Sequence, residues 1–314
     1  MFSNMRKESE MDRLEIVKYD ASYDRQMDEI NPILALSVRY HGDTFRDSVL
    51  VAKIKDEVIG FGFLSAGPTF LDMEHCDVCH VHVEFTADRG NRLEVEASAA
   101  LLECLVEEFR EMEKKYPEKQ LVLRTWCRAS ATHYMEFLMQ FAFMIKRSTP
   151  VMVRKLEDVS DLSEDYRVPK GMEIRKMVFD EAVMERYIAA SAKAYVVPDS
   201  PSELWFRLGS GKTEIYSVMK GDEFVASVTV WPISEYRYAT ENVFCVPEYQ
   251  RKGIASTLLR YVLHKIKENG GTEASLTVFG DNTPAQLCYL SLGYEVEDVM
   301  LEMHYKTTPD FLLY

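Results

Sequence analysis

The residues with the clearest chemical content run from Glu241 to Ser256, Glu-Asn-Val-Phe-Cys-Val-Pro-Glu-Tyr-Gln-Arg-Lys-Gly-Ile-Ala-Ser. Pro247 stops the apolar strand Val243 to Val246, because it lacks the amide that a central strand must donate. The turn that follows is rich in small and basic residues and opens a helix near Gly253 that continues to Lys267. A helix start carries unpaired N–H groups and the positive end of the dipole, which suits an anion. Gly253 and Ala255 leave that backbone open to close approach, and Arg251 and Lys252 add positive charge. The pattern predicts a pyrophosphate cradle. It is not that of a nucleoside triphosphatase or a dinucleotide enzyme, since neither Gly-x-x-x-x-Gly-Lys-Ser/Thr nor Gly-x-Gly-x-x-Gly occurs.

A second segment follows, Asn282-Thr-Pro-Ala-Gln-Leu-Cys-Tyr289-Leu-Ser-Leu-Gly293-Tyr294. An apolar strand is predicted at Leu276 to Phe279. Asn282 then caps a helix, Pro284 sits in its first turn, and Gly293 ends it. Ala285 and Tyr289 are four apart and share one face.

Together these segments closely resemble the GNAT superfamily of N-acetyltransferases. Gln250, Gly253 and Ala255 fill the positions of its acetyl-CoA loop, Gln/Arg-x-x-Gly-x-Gly/Ala. Asn282, Ala285, Tyr289, Gly293 and Tyr294 fill its later motif, Asn-x-x-Ala-x-x-x-Tyr-x-x-x-Gly-Phe/Tyr. The resemblance covers roughly residues 172 to 305. It implies acetyl-CoA as co-substrate, with no metal, and a small-molecule or peptide amine as acceptor. Phe244, Cys245 and Val246 would meet the pantetheine arm through strand backbone. The amide of Val246 or its neighbour would polarise the thioester carbonyl. Gln250, Arg251, Lys252, Gly253, Ile254, Ala255 and Ser256 would hold the pyrophosphate, with Asn282 nearby. Tyr289 would return a proton to the leaving thiolate. The plain alternative for Tyr289 is a core tyrosine with a bonded hydroxyl. Glu241, at the start of the strand, is the candidate base. An alkyl ammonium, with pKa ~10, must lose a proton before it attacks a thioester. Alternation predicts Glu241, Val243 and Cys245 on one strand face.

The elements that must position these groups read as an α+β chain. A length of 314 residues suggests two domains. The second half reads β-α-α-β-β-β-α-β-α-β, and the first half repeats most of that order. The expected organisation is two tandem GNAT-like domains, each a mixed, mostly antiparallel sheet flanked by helices. The boundaries are 1–156, a polar linker 157–171, and 172–314. In the first half the chemistry is altered. Leu138 stands opposite Tyr289, Arg92 opposite Ala255, and Glu94 and Glu96 bring negative charge to the helix start that would face pyrophosphate. That half is expected to keep the fold without the cofactor site.

Composition limits the partners. No stretch has the ~18 apolar residues of a membrane span, and the N-terminal residues lack the apolar core of a leader. Six cysteines without regular spacing read as reduced thiols, so a cytoplasmic setting is expected. A net charge of −14 argues against nucleic acid and weakly favours a cationic substrate. His75-Cys76-Asp-Val-Cys79-His80-Val-His82 invites a zinc reading, but alternation splits those ligands between two faces and no second Cys-x-x-Cys exists. The face His80, His82 and Glu84 is a candidate pocket lining. Two other readings stand beside N-acetylation by the second half. One is a mycothiol-synthase-like acetylation of an amino-sugar thiol, disfavoured by the low Ala and high Lys, Glu and Met content. The other is a non-catalytic protein that binds CoA as a sensor.

Overall fold

The computed structural model describes residues 13–39, 43–71, 73–157, 159–160, 162–195, 201–209 and 211–306. The N-terminal residues on which the leader expectation rests lie outside this set. The chain forms two compact units, residues 1–147 with 301–314, and residues 148–300. Among the described residues no helix is long and apolar enough to cross a membrane.

The first unit contains β1 (Glu15–Lys18), α1 (Asp24–Ile30), α2 (Pro32–Arg39), α3 (Asp43–Arg46), β2 (Leu50–Ile54) and β3 (Glu57–Ala66). Then come α4 (Pro68–Leu71), β4 (Val78–Ala87), α5 (Glu94–Lys115), β5 (Gln120–Arg128) and α6 (Thr132–Gln140). Strands β1 to β4 pair antiparallel in sequence order, and β5 joins β4 in parallel. Alternation sets the faces of β4. Cys79, Val81 and Val83 are fully buried, whereas His80 and His82 are half-buried and Glu84 is exposed. Helix α5 buries Ala97, Leu101, Leu102, Leu105 and Phe109, an apolar stripe at helical spacing, and packs on β2 to β4. Met27, Ala35 and Val38 cover the sheet with Val51, Phe61 and Phe63.

The second unit takes residues 148–155 of β6 (Phe143–Lys155), then β7 (Glu173–Lys176), α7 (Glu181–Ala194), α8 (Pro201–Gly209), β8 (Glu214–Lys220) and β9 (Glu223–Pro232). It continues with β10 (Arg237–Cys245), α9 (Ile254–Glu268), β11 (Glu273–Thr277), α10 (Thr283–Ser291) and the first part of β12 (Glu295–Tyr305), whose residues 301–305 belong to the first unit. Strands β7 to β10 pair antiparallel, β11 lies parallel to β10, and residues 151–155 of β6 run antiparallel to β11. One sheet face packs under α9 through Leu258, Leu259, Val262 and Ile266 with Val228 and Val230. The other packs under α7 through Met184, Tyr187 and Ala190 with Phe224, Phe244 and Val246.

Two expected elements shift. The strand placed at Leu276 to Phe279 is Glu273–Thr277, begun early by the β6 pairing and by the Arg237–Glu273 ion pair at 2.7 Å. The last strand of the first half, which its apolar pattern puts at Val151 to Lys155, begins at Phe143. Within the polar stretch 157–171, Val159 and Leu162 are buried in the core under α9, next to Leu156. The three apolar residues, spaced by three, dock the stretch on the second unit.

Candidate active site

Strands β10 and β11 are paired from Arg237↔Glu273 to Ala239↔Ser275, and their registered pairing ends there. A cleft of about 240 Å³ opens beyond this point, lined by Thr149, Tyr195, Glu241, Asn242, Thr277, Phe279, Asn282 and Tyr289. Glu241 and Tyr289 thus come from different elements to one opening.

The local shape of β10 departs from simple alternation. Glu241 lies opposite Thr229 and Phe244 opposite Ser227, so three residues on β10 span two on β9. This bulge is taken up at Asn242, whose φ is 49°. It overturns the expectation that Glu241, Val243 and Cys245 share a face. Glu241 now shares the face of Phe244, whose ring enters the core under α7, while Val243 and Cys245 border the core under α9.

The Glu241 carboxylate accepts a hydrogen bond from Thr277 Oγ1 at 3.3 Å. Burial pushes its pKa above the usual carboxylate value, against the opposing effects of the Thr277 bond and the Arg207 charge. A carboxylate moved toward neutrality is better matched to proton abstraction near pH 7. Tyr289 is 7% exposed, and its hydroxyl makes no hydrogen bond to a described residue. Burial raises its pKa, with Cys288 and Glu241 adding to the shift, so the phenol stays protonated and able to donate. The motif around it is structural. Asn282 Oδ1 accepts from the Ala285 amide at 3.3 Å, Gly293 ends the helix at φ 77°, and buried Tyr294 bonds Thr240 Oγ1 at 2.7 Å.

The expected cradle lies at the start of α9. Arg251 and Gly253 both take left-handed backbone, φ 60° and 75°, and no side chain caps the helix. The first-turn amides of Ile254, Ala255 and Ser256 therefore lack intrahelical acceptors. The side chains of Phe244, Val246 and Ile254 are buried, so only their backbone can meet a ligand. The Val246 amide donates to Val225 O at 2.9 Å, and Gln250 Nε2 donates to Cys245 O at 2.9 Å. The Val246 N–H is thus engaged within the sheet, which removes it from the candidates for polarising a thioester carbonyl. Lys252 folds back on Glu248 O at 2.9 Å and over the Tyr249 ring, while Arg251 remains exposed. Burial raises the Cys245 thiol to about 11 and also raises Cys288, which keeps both thiols uncharged and weakly nucleophilic.

Sequence reasoning missed Thr149, Asn242 and Thr277. Thr277 was within reach, since the apolar strand before Asn282 had to end beside the motif. Thr149 was not, because its place depends on the pairing of β6 with β11. Its hydroxyl is buried without a hydrogen-bond partner among the described residues, as is that of Thr229, opposite Glu241. The resemblance also implies an acceptor site built from the first helices and strand hairpins, around Tyr195 to Leu208 and Trp231 to Tyr238; of these Tyr195 lines the cleft, and residues 196–200 lie outside the described set.

The corresponding turn of the first unit is built differently. The Gly90 amide donates to Asp88 Oδ1, the Leu93 amide to Asn91 Oδ1 and the Glu94 amide to Asn91 O, at 2.9, 3.0 and 3.1 Å. These amides are turned onto their own loop. His82 accepts from Arg124 Nη2 at 2.9 Å, and Arg124 pairs with buried Glu302 at 3.0 Å. Burial and the Arg124 charge depress His82 to about 4. His82 therefore belongs to this network, His80 bonds Thr69 Oγ1 through Nδ1 at 2.9 Å, and Glu84 faces a separate cleft. Among the described residues no three His, Cys, Asp or Glu side chains are grouped to hold a metal.

Residues 180–294 match the model of the acetyltransferase (GNAT) family. No curated protein sequence matches the chain. Among solved structures, a GCN5-related N-acetyltransferase from Sphaerobacter thermophilus is similar with a TM-score of 0.65 at 14% identity, covering 95% of this chain and 97% of that one. A tandem GNAT protein from the clavulanic acid biosynthesis pathway gives 0.64 at 14% identity over 95% of this chain and all of its own. A fungal glucosamine N-acetyltransferase region of a multi-domain β-N-acetylglucosaminidase gives 0.67 at 11% identity, covering 94% of this chain and 38% of that one. The family match thus lies within the second unit, and nearly the whole chain shares its fold with solved N-acetyltransferases of the GNAT kind.

Proposed function

We propose that the second unit transfers the acetyl group of acetyl-CoA to a primary amine of a small molecule or peptide. One observation carries the reading: a raised-pKa carboxylate, Glu241, and an unbonded buried phenol, Tyr289, line one cleft where β10 and β11 end their pairing. The open start of α9 fits the pyrophosphate, with the amides of Ile254 to Ser256 and the Arg251 charge facing it and Gly253 supplying the left-handed turn. Acetyl-CoA supplies an acetyl thioester. Glu241 Oε takes a proton from the acceptor ammonium, leaving a neutral nitrogen able to attack. Tyr289 Oη gives its proton to the departing sulfur. Thr277 holds the carboxylate in place between turnovers.

The test is a panel of primary amines, glucosamine included, incubated with acetyl-CoA while free thiol is followed. Thiol release that depends on an amine and disappears in the double variant Glu241→Gln, Tyr289→Phe supports the proposal. Tight acetyl-CoA binding with no amine-dependent thiol from any acceptor would favour the non-catalytic reading.

A further inference from the structure

The first unit contains a larger cleft than the second, about 750 Å³, where the registered pairing of β4 and β5 ends at His82↔Arg124. Its walls are aromatic. Phe85, Trp126, Tyr134 and Phe137 all line it and are only half-buried, leaving ring surface facing the opening. The Tyr134 and Phe137 rings lie nearly parallel, 11° apart with centroids 6.4 Å apart, and Phe85 packs against both at 5.8 and 6.1 Å. Such a wall offers ring faces, which attract cations as well as apolar groups.

A carboxylate stands in the same cleft. Glu84 opens into it and makes no hydrogen bond or ion pair with a described residue. Its side chain reaches solvent through the cleft mouth, yet the surrounding protein raises its pKa. The other charges at the rim, Arg89 and Glu94, are of opposite sign and offset each other. Glu84 thus remains the uncompensated charge beside four aromatic rings. A phosphate-bearing ligand does not fit here, because the neighbouring helix-start amides are turned onto Asp88 and Asn91.

We infer that this cleft binds an organic cation, an ammonium group on an aromatic or apolar body, with the ammonium on Glu84 and the body against Trp126 and Phe137. Charge-assisted bonding to the carboxylate and contact with the ring faces act on the same end of the ligand. The site is separate from the cleft of Glu241 and does not depend on the function proposed for it.

The experiment titrates the full chain with phenethylamine, following tryptophan fluorescence and heat. Saturable binding should persist in Glu241→Gln and weaken at least tenfold in Glu84→Gln. The neutral analogue 2-phenylethanol should bind at least tenfold more weakly than the amine. Thr132→Lys places a positive charge at an exposed rim position, so it tests the same point without touching the core. It should weaken binding several-fold. The inference is overturned if binding is unaffected by both Glu84→Gln and Thr132→Lys, if it is lost in Glu241→Gln instead, if 2-phenylethanol binds equally well, or if nothing binds up to about 10 mM.

Discussion

Each unit ends the pairing of a parallel strand pair at one place and puts a glutamate two residues beyond it. In the first unit the last pair is His82↔Arg124 and the glutamate is Glu84; in the second it is Ala239↔Ser275 and Glu241. Beyond that point the clefts diverge. Glu241 accepts from Thr277 and shares its cleft with the Tyr289 hydroxyl, next to an uncapped helix. Glu84 has Trp126 where the second unit has Thr277, and the position aligned with Tyr289 holds buried Leu138. The helix start beside it carries Glu94 and Glu96, with its loop amides satisfied internally. The fold alone therefore supplies a cleft and a carboxylate. What sets the second cleft apart, and underlies the acyl transfer proposed for it, is a phenol with no hydrogen bond to a described residue and a helix start without a side-chain cap.

The largest expected effect separates the two tyrosines. Tyr289→Phe keeps the ring and removes the proton donor, so kcat should fall by roughly ten- to a thousandfold with acetyl-CoA affinity nearly unchanged. Tyr134→Phe, in the first unit, should leave turnover as it was. Equal losses from both would erase the distinction between the clefts.

Glu241→Gln should act through pH. The carboxylate must be ionised to accept a proton, so kcat/KM of the unaltered chain should decline as pH falls through its raised pKa, and that limb should vanish in the variant. Stability should move the other way. A carboxyl whose folded pKa exceeds its unfolded value of about 4.3 lowers stability once pH passes the folded value, and has no effect below the unfolded one. Thermal melts should therefore show Glu241→Gln gaining at pH 7 and losing that gain near pH 4.

Glu302, in the first unit, should behave oppositely. Hydrogen bonds from His304 and Arg124 hold its carboxyl at about 2. Its contribution is present above the unfolded value of about 4.3 and is lost as pH falls toward 2, so Glu302→Gln should destabilise at neutral pH by about 2–3 kcal/mol. Denaturant melts at pH 7 and pH 3 check the sign. A variant equally stable at both would mean the ion-pair network is slack.

The smallest effect concerns Thr149, whose buried hydroxyl has no partner among the described residues. Thr149→Val should leave stability level or slightly improved, since an unsatisfied buried hydroxyl is removed. If the hydroxyl meets substrate, kcat/KM should fall a few-fold. Unchanged kinetics would make Thr149 part of the wall only.

Much of this was legible in the sequence because it is local. Gly253 marked the opening of α9, Asn282 and Gly293 bracketed α10, and alternation along β4 sorted Cys79, Val81 and Val83 from His80, His82 and Glu84. The unread parts are tertiary. The bulge at Asn242 turns Glu241 away from the face that alternation assigned it, and no residue type between Glu241 and Phe244 announces it. The short helices α1 to α4 lack the length for a readable period. Residues 148–155 join the sheet of the second unit by pairing with β11, which places Thr149 in the cleft. That pairing is a long-range event with no local signature.

The central claim is that only the second unit holds acetyl-CoA. It is tested most directly by calorimetric titration of the full chain with acetyl-CoA, beside the variant Ala255→Glu. That variant brings to the start of α9 the negative charge that Glu94 and Glu96 bring to α5. The predicted result is one equivalent bound per chain, with a rise in Tm by mass action, and both lost in a still-folded Ala255→Glu protein. Two equivalents per chain, or one equivalent that survives Ala255→Glu, would contradict it and place the cofactor in the first unit.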